Sequence, residues 1–251
     1  GYECIDLNLA APLLNLYGLN TLETHLVNTP QAARELAKKI GLPVALKLSA
    51  PALTHKSSIG GVRLNIMNED AVEQHATDLL SCQQQYGDVA INGLNVQKMA
   101  HTAGTQELRF AMHNDDIFGP VIYIGEGGSR WDLSQDAAVA LLPLNTALAR
   151  YLLISAIKTG KIKDHRAITA LDINALSITL TRLSYLIIDC PEIASLDINP
   201  LLVHGDTSTI LDVNIHLKSC SDDGASRLAI RPYPRELEEF TTLKDGRDVL
   251  L

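Results

Sequence analysis

Lys47 stands in the middle of an apolar, partly β-branched run, VALKLS, and a loop follows it that holds His55, Lys56, Ser57 and Ser58 ahead of Gly60 and Gly61. These residue types in this order fit phosphate chemistry. A lysine on a strand offers a compact charge to a fixed anion, and hydroxyls with glycine amides line anion pockets. A histidine near neutral pH serves as nucleophile or proton carrier. The competing reading is a buried strand with a snorkelling lysine and an ordinary turn.

Three further groups carry possible chemistry. Glu107 opens a strand flanked by polar residues, and Asp115 sits at the turn before Phe118-Gly119-Pro120. Gly125-Glu126-Gly127-Gly128 closes an apolar strand and is followed by Asp132 and Asp136. Glycines there let a backbone approach a ligand or simply permit a tight turn, and the spacing is not that of a dinucleotide fingerprint or a Walker loop. Asp197-Ile198-Asn199-Pro200 and Leu211-Asp212-Val213 place carboxylate and amide oxygens on short neighbouring strands. Hard oxygen ligands of that kind suit magnesium held together with substrate phosphates.

The elements that must position these residues alternate in type. Leu7–Tyr17 reads as a helix despite Pro12, and Thr24–Val27 as a strand. Gln31–Ile40 reads as a helix capped by Thr29 with Pro30 at its first position. The strand holding Lys47 follows, then a strand over Arg63–Ile66 and a helix from the Asn68-Glu69-Asp70 cap to Ser81. The segments LNVQKM and ELRFAM look like an antiparallel pair joined by AHTAGTQ, and Phe118–Gly128 like a buried strand. Ser134–Ile157 reads as two helices broken near Pro143, and a helix opening at Asp172 or Asn174 runs to Ile188 with Leu176, Leu180, Leu183 and Ile187 on one face. Short strands over Ser195–Ile198, Leu201–Val203 and Thr209–Val213 end the pattern. This is an α/β or α+β plan with mixed or antiparallel sheets flanked by helices.

The chain has 251 residues, 46% of them hydrophobic, enough for a substantial core. A net charge of -8 with no dense basic run speaks against nucleic acid as a partner. Cys4, Cys82, Cys190 and Cys220 are too far apart in sequence for a zinc or redox motif and read as reduced thiols, pointing to a cytoplasmic protein. No run of roughly 18 apolar residues occurs, so no membrane span is expected.

Taken together, ALKLSAPALTHKSSIGGVRLNI, DDIFGPVIYIGEGG with LLPLN behind it, LDINPLLV and ILDVNI resemble, in order from about Leu13 to Leu217, the ATP-grasp part of the nucleoside-diphosphate-forming acyl-CoA synthetases. RPYPRELEEFTTLKDGRDVLL resembles the junction ahead of the GNAT-type domain in bacterial protein lysine acetyltransferases, which fuse a synthetase-like region to that domain. The resemblance implies an ATP-grasp fold of two subdomains over 1–219, the small one about 20–92 and the rest the larger lobe. It makes 220–251 a linker and the start of an acetyltransferase domain.

By the same resemblance, Lys47 holds nucleotide phosphates and Val96, Gln97, Lys98 and Met99 line the adenine, largely through backbone. Glu107 lies near the nucleotide, Asn199 and Asp212 bind Mg2+, and His55 carries a phosphoryl group on a loop whose glycines are Gly60 and Gly61. Ser58 stands where the family has an aspartate, and Asp132 where it has a glutamate. ATP or ADP is the implied ligand, with coenzyme A or acetyl-CoA bound mainly on other domains. The implied partners are an adjacent CoA-binding domain, a GNAT domain and target proteins. Three functions follow: a regulatory nucleotide-binding module of a lysine acetyltransferase, an active synthetase module using phosphohistidine, or a scaffold without nucleotide.

Overall fold

The computed structural model describes residues 3–50, 60–81, 90–100, 103–128, 133–163, 172–219, 227–230, 240–243 and 245–250. His55, Lys56, Ser57, Ser58, Asp132, Cys82 and Cys220 lie outside them.

The small lobe is an antiparallel sheet in the order β2 (Thr24–Val27), β5 (Gly93–Lys98), β3 (Val44–Ser49), β4 (Val62–Ile66). Helices α2 (Pro30–Ile40) and α3 (Glu69–Ser81) cover one face. Side chains alternate across a pleated strand, so Val44, Leu46, Leu48, Leu94 and Val96 turn toward Ala33 and Ala37 of α2 and Val72, Ala76 and Leu79 of α3. The opposite face receives Lys47, Ser49, Asn95 and Gln97, with Lys47 paired to Asn95 in register and Ala45 to Gln97. The start of α2 follows its local sequence: Thr29 Oγ1 accepts from Ala32 N at 3.2 Å ahead of Pro30.

The large lobe is a seven-stranded sheet. Its main path runs β1 (Glu3–Asp6), β11 (Val213–Leu217), β9 (Ile193–His204), β6 (Gln106–Asp115), β7 (Gly119–Glu126), β8 (Ala137–Leu141), and β10 (Thr207–Ile210) also pairs with β9. Its apolar face, with Phe110, Met112, Ile122, Leu196, Ile198 and Ile215, packs on α1 (Leu7–Leu16), α5 (Thr146–Lys158) and α6 (Ile173–Asp189). A short α4 (Leu133–Asp136) precedes β8, and β12 (Phe240–Thr242) pairs with β13 (Asp248–Leu250) in a separate hairpin. Asp172 Oδ1 accepts from Asn174 N and Ala175 N and so caps α6. Among the described residues no helix is long and apolar enough to cross a membrane.

Five expectations change. Ala137–Leu141 is a strand rather than helix, because β7 offers an open edge that Val121–Gly125 presents to it. Its small and apolar residues suit either state. LNVQKM and ELRFAM do not pair with each other: β5 joins the small sheet between β2 and β3, while β6 lies between β9 and β7. The small lobe therefore extends through Lys98, past the expected limit at 92. Ser195–Ile198 and Leu201–Val203 are parts of the one long strand β9, which takes two partners along the same edge. Asp212, expected inside a strand, lies in the joint between β10 and β11.

The fifth change concerns the segment read as a linker. Leu228 is 4% exposed and belongs to the large-lobe core. Its neighbour Arg227 passes so close to the β6–β7 turn that a Cβ at Gly119, whose φ is +66°, would meet Arg227 O at 1.8 Å. Replacing Leu228 by Ala is expected to lower unfolding stability by about 2–4 kcal/mol, as for other fully buried leucines. Urea denaturation of the chain measures it, and a change within about 0.5 kcal/mol would mean the segment packs without contributing.

Candidate nucleotide site

Leu211 and Asp212 sit where the neighbour of β9 changes. β10 pairs Ile210 with Leu201, β11 pairs Val213 with Ile198, and Asn199-Pro200 is left opposite Leu211-Asp212. The joint is closed by Asn199 N donating to Asp212 O at 3.2 Å and Leu211 N donating to Pro200 O at 3.1 Å. Local strand exchange thus sets Asn199 and Asp212 opposite each other across the joint.

The small lobe reaches this joint through its polar face. Lys47 Nζ donates to Leu211 O at 2.9 Å, and Gln97 Nε2 donates to the same oxygen at 3.3 Å and to Thr24 Oγ1 at 2.7 Å. On the other side Asn199 Nδ2 donates to Gly128 O at 3.0 Å, and its Oδ1 accepts from Gly128 N at 3.4 Å. Gly127 N donates to Glu107 O at 2.8 Å. A Cβ at Gly127 would come within 3.0 Å of Glu107 Cβ, so this glycine is what lets the two strands touch. Lys47, Asp212, Asn199, Gly127, Gly128 and Glu107 are therefore links in one continuous series of contacts across both lobes.

The remaining expected residues divide. Gly60 and Gly61 lie beside Lys47: Leu48 N donates to Gly61 O at 2.9 Å, and Val62 pairs with Lys47. Gly60 has φ +74°, and His55 falls in the stretch 51–59, outside the described residues. Val96 points into the small-lobe core and offers no side chain to the site. Along β5, β2 stops at the pair Thr24–Gln97 while β3 continues to Val44–Lys98, and Met99 N donates to Pro43 O at 3.0 Å. Among the described residues the β2 side of Lys98 and Met99 has no strand partner, an edge of the kind a planar heterocycle can occupy. Asp115 is a turn residue: its Oδ1 accepts from Ile117 N and Phe118 N, and those bonds hold its carboxyl below the usual range. Among the described residues no group of three His, Cys, Asp or Glu side chains is placed to hold a metal. One amide and one carboxylate fit a cation whose other ligands come from phosphates and water.

Two features escaped the sequence reading. Arg109 forms a two-pronged ion pair with Asp197, Nε to Oδ1 at 2.8 Å and Nη2 to Oδ2 at 2.7 Å. It rises from the polar face of β6, and the alternation in ELRFAM was the signal that it shares a side with Glu107. His113, two steps further along that face, packs edge-on against Tyr123 with ring centroids 6.0 Å apart.

Two antiparallel sheets, each backed by helices on its outer face and joined across polar inner faces, define the ATP-grasp fold. The family model for the ATP-grasp domain matches residues 4–217, and the chain belongs to this family. It is 31% identical over 207 residues to acetate–CoA ligase (ADP-forming) I of Archaeoglobus fulgidus, a match covering 82% of this chain and 30% of that protein. It is 27% identical over 209 residues to the beta subunit of acetate–CoA ligase (ADP-forming) I of Pyrococcus furiosus, covering 83% of this chain and 89% of the subunit. The chain thus matches less than a third of the length of the first relative and most of the second. Among solved structures, a dinucleotide-forming acetyl-coenzyme A synthetase 1 of Ca. Korarchaeum cryptofilum in complex with coenzyme A, Ca-AMPCP and HgCl+ superimposes with a TM-score of 0.77 at 25% identity, covering 86% of this chain and 94% of that one.

Partial burial pushes the His113 imidazole below the usual histidine range; Asp197 opposes this, while Arg109 and His216 reinforce it. A folded-state value below the unfolded one means the unfolded chain takes up the proton first. Stability conferred by neutral His113 is complete above about pH 6.5 and is lost as the pH falls toward the folded value. His113 is expected to titrate below 6.5 by NMR, and His113→Gln to flatten the loss of stability between that midpoint and 6.5.

Proposed function

We propose that this chain is the nucleotide-binding and phosphoryl-accepting module of an ADP-forming acyl-CoA synthetase. The observation that carries the reading is the joint at Leu211-Asp212, where Lys47 from one lobe meets the Asp212 and Asn199 pair from the other. In this reading the Lys47 ammonium leaves Leu211 O for the phosphates of ATP, exchanging a neutral acceptor for a charged one. Adenine lies against the open edge at Lys98 and Met99. Asn199 and Asp212 would hold Mg2+, which when bound neutralises charge on the phosphates. Glu107 borders the pocket from β6.

His55 then supplies the chemistry. A ring nitrogen attacks the γ-phosphorus, the bond from that phosphorus to the bridging oxygen breaks, and ADP leaves with the electron pair, so that phosphohistidine forms without net oxidation or reduction. Ser58, three positions after His55, stands where the family has an aspartate. The phosphoryl group is passed on to a CoA-binding partner, where coenzyme A and the acyl group meet. Both named relatives are ligases, which favours this reading over a regulatory module of a lysine acetyltransferase. That alternative rests on the resemblance of the tail.

The experiment is titration calorimetry with ATP and ADP plus magnesium, followed by incubation with γ-labelled ATP. Lys47→Met is expected to weaken nucleotide binding at least 10-fold, roughly the worth of one charge-assisted contact. His55→Ala is expected to bind ATP as the parent does yet lose all acid-labile label. Absence of heat at millimolar nucleotide would overturn the binding reading, and label retained in His55→Ala would overturn the role of that histidine.

A further inference from the structure

Asp6 closes β1 and stands at the N-cap of α1, yet its side chain makes no cap bond to that helix. It reaches into the small lobe instead, where its Oδ2 accepts from Ser49 Oγ at 2.8 Å and from Asn95 Nδ2 at 2.9 Å. The residue is 1% exposed, Ser49 2% and Asn95 5%. Its other oxygen, Oδ1, is buried and has no hydrogen-bond partner among the described residues; the same holds for Asn95 Oδ1 and for Asn214 Oδ1. Asn214 is the residue opposite Asp6 in the β1–β11 register, which sets their Cβ atoms about 5 Å apart. The carboxylate's own Oδ1 is therefore joined by two amide oxygens, from β5 and β11, none of the three with a donor among the described residues.

Turning the Asn95 amide over would set its oxygen against Asp6 Oδ2, so its orientation is fixed by the bond it already makes; turning the Asn214 amide would bring in a neutral N–H2 and still give the carboxylate no counter-charge. A proton on Asp6 would supply one donor, to one amide oxygen, and leave the other unsatisfied. A water molecule has two hydrogens for three oxygens and leaves the charge of Asp6 uncompensated, a costly state in the interior. A cation satisfies all three oxygens at once and neutralises the carboxylate.

The charge of the cation follows from the count. One carboxylate balances one positive charge, and the other donors are neutral carbonyl-type oxygens, with the Ser49 hydroxyl held to Asp6 alongside. Magnesium prefers octahedral sites and retains water, and calcium sites commonly supply several carboxylates. We infer that Asp6, Asn95 and Asn214 form a binding site for a monovalent alkali cation, of the potassium or sodium class, at the junction of the two lobes. The site is separate from the Asn199 and Asp212 pair and stands whether or not the nucleotide reading does. Its effect is to tie β1 and β11 of the large lobe to β5 of the small one.

The test is thermal unfolding of the chain, without nucleotide, in potassium, sodium and tetramethylammonium chlorides at equal ionic strength. Potassium or sodium is expected to raise Tm saturably by about 2–4 °C over tetramethylammonium. The rise is expected to vanish in Asp6→Asn and in Asn214→Leu, the latter keeping the carboxylate should the former not fold. Crystals grown in rubidium chloride are expected to show an anomalous peak among the three oxygens. Equal Tm in all three salts with no anomalous peak would overturn the site in favour of water or a proton. A rise produced only by magnesium or calcium would overturn the assignment to a monovalent ion.

Discussion

The carbonyl oxygen of Leu211 is the point on which the two lobes converge. It accepts from Lys47 and from Gln97, both on the inner face of the small sheet. It is available because Leu211 and Asp212 lie between strands, where the partner of β9 changes from β10 to β11. A continuous strand would have used that carbonyl in the ladder and turned Asp212 to an unrelated position. The break in pairing therefore supplies a docking oxygen, places a carboxylate, and sets it beside Asn199, all from a two-residue irregularity.

The lobes have separate apolar cores, one built on α2 and α3 and the other on α1, α5 and α6. The side-chain bonds that cross between them are polar: Lys47 and Gln97 to Leu211, Ser49 and Asn95 to Asp6. Each such bond contributes about 0.5–1.5 kcal/mol net, more where a charge takes part. Breaking these four bonds would cost a few kcal/mol, and none of them belongs to either apolar core. On the large-lobe side, the Arg109–Asp197 pair is held between neighbouring strands with the arginine side chain only 12% exposed. A buried arginine fork with both prongs engaged fixes the polar face of β6 and β9 before any ligand arrives.

Local chemistry made much of this legible in the sequence. Thr29-Pro30 marks the start of α2, Asp172 marks α6, and the run around Lys47 reads directly as β3, because caps and burial act over a few residues. Partner choice did not read the same way. AAVAL at 137–141 has no strong preference, and only the open edge of β7 makes it a strand. The segments around Gly93 and Gln106 look like a hairpin because each is a strand next to a loop, yet they belong to different sheets. For the site, Lys47, Asn199 and Asp212 were visible as charged or amide residues in apolar surroundings. Arg109 and Asp6 were not, since an arginine on an alternating strand and an aspartate ahead of a helix each have an ordinary local explanation. Their roles arise from strands that are distant in sequence.

Leu228, seated in the large-lobe core, and Arg227, pressed on Gly119, alter the geometry of whatever the chain carries beyond them. Leu217, the last residue of β11, and Arg227, at the β6–β7 turn, stand two to three strand positions apart across the sheet, a sideways separation of about 10–15 Å at the ordinary spacing of strands. The seat of Leu228 acts as a mooring. A following segment would take its bearing from the β6–β7 corner instead of swinging from the end of β11, and its radius of reach would be counted from Ile230.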